Sequence, residues 1–144
     1  MAETRAILAK ASALWAPHSC LASGDCCHFE TTKRQPWLWP SEWTLIVDHF
    51  KQMKRDLPPI RPDGACPFLN DNNRCTIYDV RPFGCRTFFC ARIKGPSRQP
   101  ASETTALLER LASVNIGLNS DANPRTIVDW HQNQVDAITN RCEG

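Results

Sequence analysis

Residues 40–53 read PSEWTLIVDHFKQM, and this stretch decides the fold class. Trp43, Ile46, Val47, Phe50 and Met53 recur at spacings of three and four. An α-helix turns once in about 3.6 residues, so this period places all five on one face and predicts a buried helical stripe. Ser41 is the expected N-cap, since its hydroxyl suits the unpaired N–H groups of a first turn. The helix is expected to stop before Pro58-Pro59, because proline lacks the N–H that the ladder needs.

Three further segments carry the same period. In residues 3–15, Leu8, Ala11 and Trp15 define a stripe. A third helix opens with Ser102 as N-cap and Glu103 in its first turn, where a negative charge suits the helix dipole. Its stripe is Leu107, Leu108, Leu111 and Val114, and Gly117 is the expected stop. A fourth is expected to start near Pro124 and to bury Ile127, Val128, Trp130, Val135 and Ile138. Residues 56–100 break the pattern. They hold most of the eleven prolines and four of the eight cysteines, too irregular for a sheet and too rich in Phe and Ile for disorder. Pro82 is placed to start a short helix carrying Cys85 and Cys90, and residues 94–101 read as a surface linker. The expectation is one mainly α domain over 1–144, with about four helices around an irregular cysteine-rich centre. That centre spans 18–93, and a helical pair follows over 101–141.

Composition narrows the function classes. Seventeen basic against fifteen acidic residues give +2, too mild a balance to argue for nucleic acid. No run of about 18 apolar residues exists, so no membrane span is expected. Glu3, Arg5 and Lys10 interrupt the first apolar stretch, which reads as an amphipathic helix and not as a secretory signal. A cytoplasmic location with reduced thiols follows as an expectation. Residues 1–100 carry 14 basic and 9 acidic side chains, and 101–144 carry 3 and 6. The cationic excess thus shares its part of the chain with seven of the cysteines, where Arg or Lys would stabilise thiolates.

The cysteines stand at 20, 26, 27, 66, 75, 85, 90 and 142. No Cys-x-x-Cys occurs, which disfavours a zinc ribbon, a zinc knuckle or a thioredoxin-type pair. The ferredoxin spacings are absent as well. A common site must therefore be assembled from segments 20–27, 66–75 and 85–90, and a metal holding them would also hold the fold. Adjacent residues direct their side chains differently, so Cys26 and Cys27 are expected to suit a polynuclear centre or two sites. One tetrahedral zinc takes four ligands, fewer than Cys20, Cys26, Cys27, Cys66, Cys75, Cys85 and Cys90 together. The excess fits an iron–sulfur cluster with spare thiols, or two metal sites. His18 and His28 flank the first cysteines as candidates for a Cys3His site. Cys142 reads as a small buried hydrophobe, and His49 and His131 as surface or core residues.

These elements resemble a known family. Residues 20–27, Cys-Leu-Ala-Ser-Gly-Asp-Cys-Cys, are similar to the Cys-x-x-Cys-Gly-x-Cys-Cys opening of the YkgJ-type cysteine-cluster family, the zinc- or iron-chelating CxxCxxCC domain. Cys66-Pro67-Phe68-Leu69, the run from Arg74 to Pro82 and the run from Gly84 to Cys90 resemble its later elements in order and spacing. Ser23 stands where the family has its second cysteine. Serine is a poor donor to a soft metal, so that position is either no ligand or leaves a metal site open or oxygen-ligated. The resemblance extends distantly to flagellin lysine N-methylases, which are thought to combine a cluster with S-adenosylmethionine. This chain shows no Gly-rich nucleotide loop and has little room for another catalytic domain, so that activity is not carried over.

Tyr78, Arg81 and Arg86 sit among the expected ligands. They read either as donors that tune a bound cofactor or as a structural pair capping a turn with Asp79. Phe68, Phe83, Phe88 and Phe89 are expected to pack around the centre and exclude water. Trp37, Trp39 and Trp43 are expected to anchor the core in preference to forming a partner patch. The leading expectation is a metal-binding protein holding an iron–sulfur cluster, [4Fe–4S], with a redox, sensing or cofactor role and a redox or protein partner. The alternatives are a structural zinc protein acting as an interaction module, a small metal-dependent transferase linked to S-adenosylmethionine, and a disulfide-stapled secreted protein. Whether the chain is an enzyme stays open at this point.

Overall fold

The computed structural model describes residues 2–17, 27–29, 35–87 and 100–143, excepting the side chains of 135 and 137–143. Among them five α-helices dominate, in line with the mainly helical expectation. In chain order they are α1 (Ala2–Leu14), α2 (Pro40–Gln52), the one-turn α3 (Phe83–Arg86), α4 (Ala101–Leu118) and α5 (Ile127–Glu143). A 3-10 turn at Tyr78–Val80 precedes α3. Two short strands, β1 (Trp37–Leu38) and β2 (Arg125–Thr126), pair antiparallel with Trp37 opposite Thr126 and Leu38 opposite Arg125.

Helix α2 lies between two hydrophobic clusters. Trp43, Ile46 and Phe50 face the first, with Phe29, Leu38, Cys66, Phe68, Ile77 and Ile127. Leu45, outside the expected stripe, faces the second with Ile7, Leu8 and Ala11 of α1, Phe83 of α3 and Leu111 of α4. The apolar surface of α2 is therefore wider than its three-and-four stripe, as a helix packed on more than one side requires. Met53, at the end of that stripe, is 41% exposed because the chain leaves the helix there.

The helix ends differ from the expected ones for identifiable reasons. Trp39, not Ser41, is the N-cap of α2. The Glu42 carboxylate accepts the Trp39 N–H at 2.7 Å, and Asn115 Oδ1 accepts the Ser41 N–H at 2.9 Å. The orphan donors of this first turn are thus met by a carboxylate and by α4. Helix α4 begins at Ala101 with Pro100 as N-cap, not at Ser102, and it runs through Gly117 to Leu118. Helix α5 starts three residues after Pro124, because Arg125 and Thr126 are taken up in the strand pair. Gln35 Oε1 accepts the Val128 N–H at 2.9 Å and caps its first turn.

Long-range side-chain bonds tie these pieces together. Trp15 Nε1 donates to Thr104 Oγ1 at 2.9 Å, joining α1 to α4. Trp130 Nε1 donates to the Leu38 carbonyl at 2.8 Å, and its ring stacks on Trp43 with centroids 6.4 Å apart. Of the three clustered tryptophans, Trp43 anchors the core, Trp39 packs against the second cluster and Trp37 is 62% exposed. None of the described helices is long and apolar enough to cross a membrane.

Candidate metal centre

Four of the seven candidate cysteines fall among the described residues: Cys27, Cys66, Cys75 and Cys85. Cys20, Cys26 and Cys90 lie outside them, as do His18, Ser23, Phe88 and Phe89. Cys66 is buried in the first cluster, and Cys27 and Cys75 pack against the same cluster. The Cys66 N–H donates to the Cys27 carbonyl at 2.7 Å. Leu69 and Cys75 form an isolated antiparallel bridge, which folds the chain back so that Cys75 returns toward the Cys66 turn. Two of the three cysteine segments, 20–27 and 66–75, are thereby drawn to one hydrophobic cluster. Cys85 stands apart on α3, whose Phe83 belongs to the second cluster. Among the described residues no three Cys, His, Asp or Glu side chains are gathered closely enough to hold a metal ion.

The local sequence explains why the Cys66 turn is held firmly. Arg61-Pro62-Asp63-Gly64 is a turn sequence, and Gly64 takes φ 73°, a left-handed conformation that suits a residue without Cβ. Arg61 grips Asp63 with two parallel bonds, Nε to Oδ1 at 3.0 Å and Nη2 to Oδ2 at 2.6 Å. Its Nη1 donates to the Leu69 carbonyl at 3.0 Å, and Asp63 Oδ1 also accepts the Ala65 N–H at 3.1 Å. Arg61 thus spans the turn and fixes the loop on either side of Cys66. The same bonds hold the Asp63 carboxyl below its ordinary pKa, the bond from Arg61 contributing most. Sequence reasoning passed over this pair, although Pro-Asp-Gly is a legible turn signal.

The loop between Cys66 and Cys75 is set by Asn70, whose Oδ1 accepts the N–H groups of Asn72 and Arg74 at 2.9 and 3.0 Å. His28, a candidate ligand, is 3.1 Å from Asn73 Oδ1 through its Nε2 and so links the Cys27 segment to this loop. Phe68 plugs the base. It is 1% exposed and touches Trp43, Phe50 and His131, with ring centroids 6.2, 5.7 and 6.5 Å away. Phe68 and Phe83 are both buried, in different clusters. His131 is a core residue whose Nε2 meets the Pro58 carbonyl, while its buried Nδ1 has no hydrogen-bond partner among the described residues. His49 edges the Phe50 ring.

Tyr78, Arg81 and Arg86 come together around the 3-10 turn. The Arg81 guanidinium lies 3.8 Å above the Tyr78 ring, and its Nε donates to the Tyr78 carbonyl at 3.0 Å. Arg86 donates to the carbonyls of Arg81 and Asp79 at 2.7 and 3.1 Å, and to Ser12 Oγ of α1 at 2.9 Å. Burial lowers the Arg86 pKa from its ordinary value, and the neighbouring charge of Arg81 adds to that.

The helix carrying Cys85 and Arg86 is positioned by Glu42. Its Oε1 accepts the Phe83 N–H at 2.7 Å while Oε2 accepts that of Trp39. One buried carboxylate therefore joins the N-termini of α2 and α3. Burial pushes its pKa up to about 7, against the two backbone N–H groups and Arg86, which favour the charged form.

The donor chemistry suits a thiophilic metal such as zinc or the iron of a cluster, since every described candidate except His28 offers sulfur. No curated protein and no solved structure matches the chain. A family model described as "Putative zinc- or iron-chelating domain" matches residues 19–112, more than half of the chain. The match takes in all seven clustered cysteines, continues past Cys90 into α4, and leaves out Cys142. The chain therefore belongs to the CxxCxxCC family of zinc- or iron-chelating domains.

Proposed function

We propose that this protein holds an iron–sulfur cluster, [4Fe–4S], through cysteines of the 20–27, 66–75 and 85–90 segments, and serves a redox or sensing role in the cytoplasm. The observation that carries the reading is the bond from the Cys66 N–H to the Cys27 carbonyl, which brings two distant cysteine segments to one hydrophobic cluster. Cysteine spacing supports a cluster over one zinc, since no zinc-type Cys-x-x-Cys pair is present, and the seven clustered sulfurs are enough for the four thiolates that a [4Fe–4S] cluster takes. Burial supports it further. Cys66 is 5% exposed beside Phe68, and a dry surrounding of this kind tunes a cluster's potential.

When bound, such a cluster supplies one-electron chemistry. The chain's own residues then have separable tasks. Arg61 and Asp63 set the Cys66 turn, Phe68 and Trp43 exclude water, and Glu42 fixes the helix that bears Cys85. The second reading, a structural zinc site serving a protein-interaction module, draws on the family's zinc-or-iron description. A visible spectrum of anaerobically purified protein separates the two. The cluster reading expects a brown protein that bleaches with dithionite. A colourless protein that retains zinc and unfolds with chelator supports the zinc reading instead.

A further inference from the structure

A cleft of about 410 Å³ opens between α1 and the 78–86 segment, lined by Ser12, Trp15, Tyr78, Asp79, Arg81 and Arg86. Its volume suits a small molecule. Its walls carry two guanidinium groups. Among the described residues Arg86 hydrogen-bonds only neutral acceptors, two backbone carbonyls and the Ser12 hydroxyl, which fix its charge in the wall, while the Glu42 and Asp79 carboxylates favour that charge without a direct bond. Arg81 uses Nε on the Tyr78 carbonyl, and its two terminal nitrogens carry no hydrogen bond among the described residues. The Tyr78 ring beneath holds the guanidinium plane in place. The Tyr78 hydroxyl likewise has no described partner, and Tyr78 is 62% exposed.

We propose that this cleft binds a small molecule bearing a carboxylate or phosphate group, with the terminal nitrogens of Arg81 as the principal donors, the Tyr78 hydroxyl as a secondary donor and Arg86 as a fixed charge. Two like charges side by side destabilise each other, and an oxyanion between them relieves that cost. A guanidinium offers paired N–H groups that match the two oxygens of either anion. Among the described lining residues Asp79 is the one carboxylate and opposes binding, and with Arg81 and Arg86 these residues carry a net single positive charge. This site goes beyond the metal centre and does not depend on which metal the cysteines hold.

The test is an NMR titration of the metal-loaded full chain with inorganic phosphate and with acetate at low ionic strength, using chloride at matched ionic strength as control. Saturable shifts are expected at Tyr78, Arg81 and Ser12 with one or both anions and not with chloride; which anion saturates first identifies the headgroup. Arg81→Gln is expected to weaken binding by about tenfold or more, the scale of a lost charge-assisted bond. Arg81→Lys should lose less, and Asp79→Asn should tighten binding. Tyr78→Phe, which disturbs no described bond of the fold, should weaken it by a few-fold and keeps the test open if Arg81→Gln fails to fold. Metal content measured alongside is expected to be unchanged in each variant. Shifts that do not saturate, that chloride reproduces, or that survive Arg81→Gln with equal affinity overturn the proposal. So does a loss of metal in Arg81→Gln, which would assign Arg81 to the metal centre.

Discussion

The Glu42 carboxylate and the Phe83 N–H meet at 2.7 Å across 41 residues of sequence. With the Trp39 N–H on its other oxygen, Glu42 sets the angle between a long core helix and the single turn that presents Cys85. Glu42 is 1% exposed, so this join sits in a medium that disfavours charge.

Its pKa, raised from 4.5 to about 7, gives a signed pH dependence. Between those values the folded protein keeps a proton that the unfolded chain has released. Raising the pH through this window therefore favours unfolding, and the loss levels off above about 7. The span corresponds to on the order of 3 kcal/mol. Glu42→Gln removes the titration, and comparing the two proteins cancels the pH dependence of metal binding. Denaturant unfolding at pH 4.5 and pH 8 should show wild type losing stability relative to Glu42→Gln as the pH rises. An unchanged difference at the two pH values contradicts this account of Glu42.

Phe68 is the apolar base under the Cys66 turn, in contact with α2 and α5. Phe68→Ala should cost about 3–5 kcal/mol, combining lost transfer energy with the cavity left behind. Thermal unfolding measures it. A loss below about 1 kcal/mol would mean that the Cys66 turn is not seated on this core.

Gly64 at φ 73° closes the turn ahead of Cys66, with its N–H on the Arg61 carbonyl at 3.2 Å. Gly64→Ala forces a Cβ into the left-handed region and should destabilise by about 1 kcal/mol, with weaker metal retention against a chelator. Competition with a chromogenic chelator reads the second effect, and retention equal to wild type argues against any coupling of this turn to the metal.

Cysteine replacement separates site from background. Cys66→Ser and Cys75→Ser should both lower the metal bound per chain, whereas Cys142→Ser should leave it unchanged. Elemental analysis with circular dichroism as a folding control decides this. Equal metal in all three variants would place the ligands elsewhere.

The helices were legible because their apolar periods are long and regular; Trp43, Ile46 and Phe50 all reach the core as their spacing predicts. Cap residues were less legible. Ser41 loses its cap role to Glu42 and Asn115, one of which arrives from 74 residues away, and no local pattern carries that contact. The strand pair escaped notice because two residues in each strand are too few for an alternation to register. At the site, cysteine spacing identified three segments, and the Cys27–Cys66 backbone bond joins two of them. The Arg61–Asp63 grip depends on turn geometry that a spacing argument does not reach.

The claim that thiols of distant segments converge on an inorganic centre is tested most directly by iron, zinc and acid-labile sulfide analysis of protein purified without oxygen. The account predicts iron and sulfide in equal amounts, about four of each per chain, with little zinc. One zinc per chain without sulfide contradicts the cluster, and protein that carries no metal at all contradicts the shared centre itself.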